Sequence, residues 1–268
     1  WELRALRKML KAAKGLTNFT ILDFLKKHLL GTKLIFVLGK TGTGKTSLLQ
    51  ELVGQDLHVG HSLESGTRHY EVIPALIHGE KYLFVDTAGF GARDMDDKSN
   101  FENIMSCLVA FGPFVTIAGV LFLHSSKEDR MTNDEVKTVQ WLQCFCGPEF
   151  FQNITIVTTK WDTYNSKSFQ RAREQLQNLT NGEDIGAILH PPDPYVGASL
   201  YNHGIPGGGV SDSWGDPLDI DDDRSERAAE IGKVIQQLHR NPAPAQLQVN
   251  REMEEGKDIM ETTAAKAL

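Results

Sequence analysis

Long unbroken hydrophobic runs are missing from this 268-residue chain. The apolar stretch Phe114 to Leu123 falls well short of the roughly 20 residues that a membrane-spanning helix requires. An excess of positive charge is missing too: 28 Lys and Arg stand against 35 Asp and Glu, a formal net charge of -7. That balance argues against a protein built to grip nucleic acid phosphates, while small anionic ligands, which local geometry can hold, stay open. Cysteine is scarce. The three present, Cys107, Cys144 and Cys146, are odd in number, and the last two lie too close for an ordinary bridge or a paired zinc site, so they read as reduced thiols of a cytoplasmic protein. Neither an initiator Met nor a hydrophobic signal sequence opens the chain, and Trp1 reads as the start of a fragment.

What is present suffices for a sizeable core: 40% of the residues are hydrophobic, enough for one large domain or one domain with appendages. Residues 1–31 read as a helical extension, with Leu3, Leu6, Leu10 and Ala13 on one face and Arg4, Arg7, Lys8, Lys11 and Lys14 supplying positive charge. Such a face packs on its own domain or lies on an anionic surface, so any membrane association is expected only through flanking regions. From residue 32 to 240, short apolar strands alternate with amphipathic helices, the pattern of an α/β domain with a mostly parallel sheet and helices on both faces. Strands are expected at 34–38, 69–77, 82–85, 117–123, 154–159 and 195–201, and helices at 45–53, 101–111, 133–146, 167–179 and 225–239. Only His78-Gly79-Glu80 separates the second and third strands, which predicts an antiparallel pair at one sheet edge. Residues 204–224, rich in Gly, Pro and Asp, read as a flexible insertion, and residues 241–268 as a loosely attached helix or a disordered tail.

The first strand runs directly into Gly39-Lys40-Thr41-Gly42-Thr43-Gly44-Lys45-Thr46, a G-x-x-x-x-G-K-[ST] phosphate-binding loop with a strand before it and a helix after it. Its glycines let backbone N–H groups close around phosphates, and the helix N-terminus adds positive potential. Lys45 is expected at the β- and γ-phosphates, the Thr46 hydroxyl on Mg²⁺ and Ser47 beside the α-phosphate.

Two further strand ends narrow the ligand. The third strand leads into Asp86-Thr87-Ala88-Gly89, which sets a carboxylate near Mg²⁺ and the Gly89 N–H near the γ-phosphate. The fifth ends in Thr159-Lys160-Trp161-Asp162, which resembles the [NT]-K-x-D base-reading motif of G proteins. Asp162 can accept hydrogen bonds from the guanine N1–H and exocyclic amine, a donor pair that adenine does not present, and the Lys160 stem can lie over the base. An ATPase or nucleotide kinase sharing the phosphate loop conflicts with this motif.

These three motifs in order resemble the translation-factor-related GTPase class. Gly60-His61-Ser62-Leu63-Glu64-Ser65-Gly66-Thr67 resembles the switch I of the GIMAP, septin and Toc receptor group, and Arg130-Met131-Thr132-Asn133-Asp134-Glu135 resembles the R-[FY]-T-x-[ED]-[ED] box of GIMAP-type G domains. The resemblance spans residues 33–177 and is poor beyond residue 182. It implies a three-layer P-loop G domain that binds GTP and GDP with Mg²⁺, with Thr67, or Ser65 in competition, closing over the γ-phosphate and metal. It also implies a last guanine loop at Tyr201-Asn202-His203, through Asn202, or else near His190 after 186–190.

Ras-like enzymes place a glutamine after D-x-x-G to orient the attacking water, whereas Phe90 stands here, which predicts slow intrinsic hydrolysis. In the GIMAP group, G domains pair across their nucleotide faces, and the resemblance implies a nucleotide-dependent homodimer in which Arg130 acts in trans. A plainer reading makes Thr132 and Glu135 a helix capping box with Arg130 a solvated flank, and the two are compatible. A GTP-loaded scaffold or membrane-proximal receptor with negligible hydrolysis is the alternative function.

Overall fold

The computed structural model describes residues 29–54, 70–87, 90, 96–209 and 214–268. The expected N-terminal helix, Thr67, Ser65, His61 and Gly89 lie outside these residues. A six-stranded sheet runs in the order β2-β3-β1-β4-β5-β6, built from β1 (Thr32–Leu38), β2 (Tyr70–Ile77), β3 (Glu80–Thr87), β4 (Val115–Ser125), β5 (Ile154–Thr159) and β6 (Ser199–Asn202). All pairs are parallel except β2 with β3. That hairpin turns on His78 and Gly79, both at positive φ (48° and 80°), the backbone of a tight two-residue turn that matches strand twist.

Helices cover both faces. The helices are α1 (Lys45–Val53), α2 (Asp97–Phe111), α3 (Asn133–Cys146), α4 (Ser166–Thr180), α5 (Glu183–Leu189), α6 (Arg224–His239), α7 (Gln248–Glu254) and α8 (Thr263–Lys266). Period-two alternation along β1 divides the core: Leu34, Phe36 and Leu38 face α2, α3 and α5, whereas Ile35 and Val37 face α1 and α6. A smaller cluster of Trp161, Ala172, Leu176 and Ile205 seats α4 beside the end of β5.

Four expectations change. The strand drawn at 195–201 is the short β6, because residues 192–196 form an exposed turn in which Tyr195 N–H donates to Pro192. Residues 186–190, the alternative last strand, fall within α5 and its C-cap, leaving β6 as the strand beside β5. The segment after residue 241 is not loose: Leu247, Val249, Ala264 and Ala265 are buried in the core beside α3, and Glu252 accepts from Thr263 N–H at 2.7 Å. Its apolar positions are too few for a visible stripe, yet α7 and α8 both pack against α3. The described parts of the Gly-rich insertion, residues 204–209 and 214–224, are likewise anchored, with Ile205 and Leu218 buried.

One buried histidine ties α6 to the sheet. The β1–β4 register shifts between Leu34 and Ile35, so that Ala118 is skipped, and its carbonyl accepts from His239 Nδ1 at 3.1 Å. The other ring nitrogen, Nε2, must then accept from Thr155 Oγ1 at 3.0 Å. A Cβ at Gly119 would stand 2.4 Å from this ring, so glycine is what admits it. Burial drives the His239 pKa down to about 4.

Candidate functional site

The parallel register of β1 with β3 pairs Val37 with Asp86, and that of β1 with β4 pairs Leu38 with Phe122. The loop leaving β1 therefore emerges at the carboxyl edge of the sheet between two strand ends, where open α/β sheets bind ligands. Gly39 (φ 144°) has no room for a side chain, since a Cβ there would stand 2.6 Å from the Leu123 carbonyl oxygen. Gly42 and Gly44 take left-handed backbone, with φ of 87° and 92°. Between them Thr43 is buried, its Oγ1 donating to the Lys40 carbonyl at 2.8 Å, while Thr41 and Gly42 are exposed.

Gly44 caps α1, and no side chain supplies the cap acceptor. No acidic residue occupies the first turn either, so its N–H groups and positive dipole end remain available to an anion. Thr46 is exposed and Ser47 partly so on this turn. Lys45 folds back on the loop and donates from Nζ to the Gly39 carbonyl at 2.6 Å. Burial lowers the Lys45 pKa, and Asp86 opposes the shift. Lys40 lies further out, 3.9 Å from Glu128.

Asp86 is the counterpart. Burial pushes its carboxyl up to about 6, with Lys45 pulling down and Glu71 pushing up. Its Oδ1 is buried and has no hydrogen-bond partner among the described residues. A buried carboxylate oxygen without a donor is expensive unless something outside the chain satisfies it. A hard divalent cation fits this donor set, because it takes oxygen ligands, and Asp86 and the exposed Thr46 hydroxyl both lie at the mouth of the loop.

The base-reading motif is folded by its tryptophan. Trp161 is buried, its Nε1 donates to Thr158 Oγ1 at 2.8 Å, and Trp214 meets it edge-on at 5.1 Å between ring centres. With Trp161 turned inward, its neighbours Lys160 and Asp162 remain partly exposed at the rim. Lys160 takes left-handed backbone, φ 67°. Thr159 Oγ1 donates to the Thr43 carbonyl at 2.7 Å, fastening this loop to the phosphate loop across 116 residues of sequence.

Asn202 arrives at the end of β6, but its amide is spent inside: Oδ1 accepts from Thr158 Oγ1 at 2.7 Å and Nδ2 donates to the Gly208 carbonyl at 2.9 Å. It braces the wall behind the rim. Arg130 is exposed in the loop after β4, at the same sheet edge, beside an open groove of about 510 Å³ that Arg171, Val136 and Leu179 also line. The capping box at the head of α3 is present, with Thr132 N–H donating to Glu135 Oε2 at 2.9 Å and Glu135 N–H donating to Thr132 Oγ1 at 3.4 Å. Glu135 also meets buried His124 at 3.0 Å.

Phe90 is not a solvent-facing substitute for glutamine. It is buried, its ring 4.3 Å from that of Trp141 on α3, and its N–H donates to Thr138 Oγ1 at 3.1 Å. Sequence reasoning also missed Glu51, His203 and Arg227, which meet in a buried ionic cluster behind the site. The available signal was a charge on an apolar face, for Glu51 adjoins Leu48 and Leu52, and Arg227 leads the stripe Ile231 and Ile235.

The AIG1 family pattern matches residues 33–182, more than half of the chain. GTP-binding protein A of Dictyostelium discoideum is 30% identical over 127 residues, 47% of this chain and 27% of that protein. GTPase IMAP family member 8 of Rattus norvegicus is 22% identical over 158 residues, 57% of this chain and 22% of that protein. The chain thus spans about a third or less of the length of the curated relatives it matches. Among solved structures, Toc33 of Arabidopsis thaliana in complex with GDP and Mg²⁺ has the same fold, with a TM-score of 0.55 at 16% identity over 85% of this chain and 91% of that one. With strand, phosphate loop and helix in the order that the family pattern covers, the chain belongs to the AIG1 family of P-loop GTPases.

Proposed function

We propose that this protein is a guanine-nucleotide switch that binds GTP and GDP with Mg²⁺ and hydrolyses GTP slowly, faster when two copies pair. The observation that carries the reading is the interacting pair of partly buried charges, Lys45 and Asp86, with Asp86 Oδ1 lacking a partner among the described residues. Burial makes both charges costly to hold, and a metal-bound polyphosphate would satisfy both. When bound, Mg²⁺ would neutralise charge on the β- and γ-phosphate oxygens, with Thr46 and Asp86, and Thr67 by family resemblance, as its protein ligands. Lys45 would balance the β- and γ-phosphates, the backbone of residues 39–44 would donate to them, and the Gly89 N–H would meet the γ-phosphate. Asp162 would select guanine through its N1–H and exocyclic amine, and Lys160 would cover the base.

Slow turnover follows from Phe90, whose buried ring and engaged N–H leave no side-chain group there to orient water. Arg130, exposed at the nucleotide edge, is free to enter a second copy's site and stabilise transition-state charge. Toc33 supports this by analogy: dimerization is described as important for the GTPase activity of atToc33 and psToc159, and an arginine-to-alanine mutant of Toc33 as dimerization-deficient. The three thiols are free, in keeping with a cytoplasmic setting. No described helix is long and apolar enough to cross a membrane. We read residues 32–240 as the G domain, with residues 1–31 and 241–268 as extensions, the second docked on α3.

The test is GTP turnover per molecule across a protein concentration series with Mg²⁺, with GDP affinity measured in each variant. A rate that climbs with concentration, collapses in Arg130→Ala without loss of GDP affinity, and vanishes with binding in Lys45→Ala is the expected result. A flat, near-zero rate with intact binding overturns the paired mechanism and favours a GTP-loaded scaffold, the reading that the buried Phe90 also suits.

A further inference from the structure

The two halves of the nucleotide site are joined behind the rim by charges that binding itself does not use. Glu51 lies on α1, the helix that begins with Lys45, and its side chain is buried. One carboxylate oxygen accepts from His203 Nε2 at 2.8 Å, and the other from Arg227 Nε at 3.2 Å. Since a carboxylate only accepts, His203 carries a proton on Nε2, and its Nδ1 faces the Tyr201 hydroxyl at 3.4 Å. Burial pushes the Glu51 carboxyl upward, but His203 and Arg227 more than reverse this and hold it below the usual carboxylate range. Arg227, on α6, also donates from Nη1 to the Leu218 carbonyl at 3.0 Å. A Cβ at Gly204 would stand 2.3 Å from this Nη1, so only glycine lets the guanidinium in.

The cluster continues toward the base reader. His203 follows Asn202, whose amide bridges Thr158 and Gly208, and Thr158 Oγ1 accepts from Trp161 Nε1. His203 N–H donates to the Thr158 carbonyl at 2.8 Å. A chain of hydrogen bonds thus runs from Trp161, between Lys160 and Asp162, through Thr158 and the residues after β6 to Glu51 on the phosphate-loop helix. Thr159 Oγ1 on the Thr43 carbonyl is a separate tie. One tie fixes a separation and leaves rotation free; a second removes the rotation.

Buried ion clusters are a poor way to gain stability, since apolar replacements of the same volume often do as well. What they supply is direction, because each donor and acceptor must be aimed. We infer that His203, Glu51 and Arg227 are positioning residues that set the orientation of the base-reading loop, residues 159–162, against the phosphate cradle on α1. Guanine discrimination depends on this cluster, and phosphate affinity does not. The inference rests on the guanine-nucleotide reading above.

Competition binding with GDP and inosine diphosphate tests it, because the second probe keeps the phosphates and ribose and lacks the exocyclic amine assigned to Asp162. The ratio of the two affinities isolates the contact of the exocyclic amine with Asp162, since inosine keeps the N1–H. His203→Leu, which keeps the Glu51–Arg227 pair, is expected to shrink the preference for GDP about fivefold or more, with inosine diphosphate, which has only the N1–H to lose at Asp162, falling less than GDP. His203→Gln, whose amide N–H can still donate to Glu51, is expected to retain the wild-type ratio. Arg227→Lys, which keeps the charge but cannot reach both Glu51 and the Leu218 carbonyl, gives the same comparison if His203→Leu does not fold. An unchanged ratio in the disrupting variants, or equal loss of both nucleotides, overturns the inference. A wild-type protein that binds neither diphosphate defeats the functional reading instead, and the inference with it.

Discussion

Replacing Asp86 by Asn should make the nucleotide-free protein more stable while ruining its metal-dependent binding. The Asp86 carboxyl is raised from an ordinary value of 3.8 to about 6, chiefly by burial, and its Oδ1 has no partner among the described residues. At about 1.4 kcal/mol per tenfold change, keeping it ionised at pH 7 costs about 3 kcal/mol of folding free energy. Removing the charge also strips Lys45 of the one carboxylate that favours its protonated form, which returns part of the gain. A net rise of about 1–2 kcal/mol remains, or roughly 2–8 °C in Tm for a domain of this size. The sign of the pH dependence separates this account from others. Between about pH 4 and pH 6 the folded wild type binds more protons than the unfolded chain, so its stability falls as pH rises through that window. The advantage of Asp86→Asn should therefore be small near pH 4 and reach its full size above pH 6. Urea unfolding of both proteins over pH 4–7, with GDP binding measured with and without Mg²⁺, reads both effects. An Asp86→Asn protein that is less stable than wild type by the same amount at every pH would show that the carboxylate is a structural acceptor, and the argument for a metal ligand would fail.

Other outcomes follow from the same geometry. His239 is buried neutral with a pKa near 4, so the unfolded chain takes up a proton between about pH 6.5 and pH 4 that the folded chain refuses, and about 3 kcal/mol of stability is lost as pH falls through that range. In His239→Gln the acid-side slope of urea midpoints should flatten, and an unaltered slope would assign acid sensitivity elsewhere. This window overlaps that of Asp86 with opposite sign, so the loss should be clearest in the Asp86→Asn background. Thr132→Ala removes the N-cap acceptor of α3 and should cost about 1 kcal/mol in equilibrium unfolding. Arg130→Ala, at an exposed position, should stay within about 0.5 kcal/mol of wild type by the same measurement.

The helix drawn at 133–146 matches α3 residue for residue, because Thr132 and Glu135 announce its start and Gly147 its end. The phosphate loop was equally legible, since its work is done by backbone and needs only a strand, glycines and a helix in a row. Boundaries drifted where chemistry is not local. The strand at 195–201 shrank to four residues, because its apolar letters do not distinguish an exposed turn from a paired strand.

The strands, the helices and the motifs assigned to phosphate, metal and base were legible in the residue pattern alone, because hydrophobic period, capping and glycine placement act within a few residues of where they are written. Tertiary structure alone decided what those residues cost and how they are aimed. Asp86 stands beside Val37 through strand register, Thr159 reaches the Thr43 carbonyl over a long loop of chain, and Glu51 finds His203 and Arg227 only when α1, β6 and α6 pack together. The tail after residue 241 reads as weakly apolar, yet it is buried because α3 offers it an apolar back. Desolvation and long-range pairing are properties of the folded interior, and no window of sequence contains them.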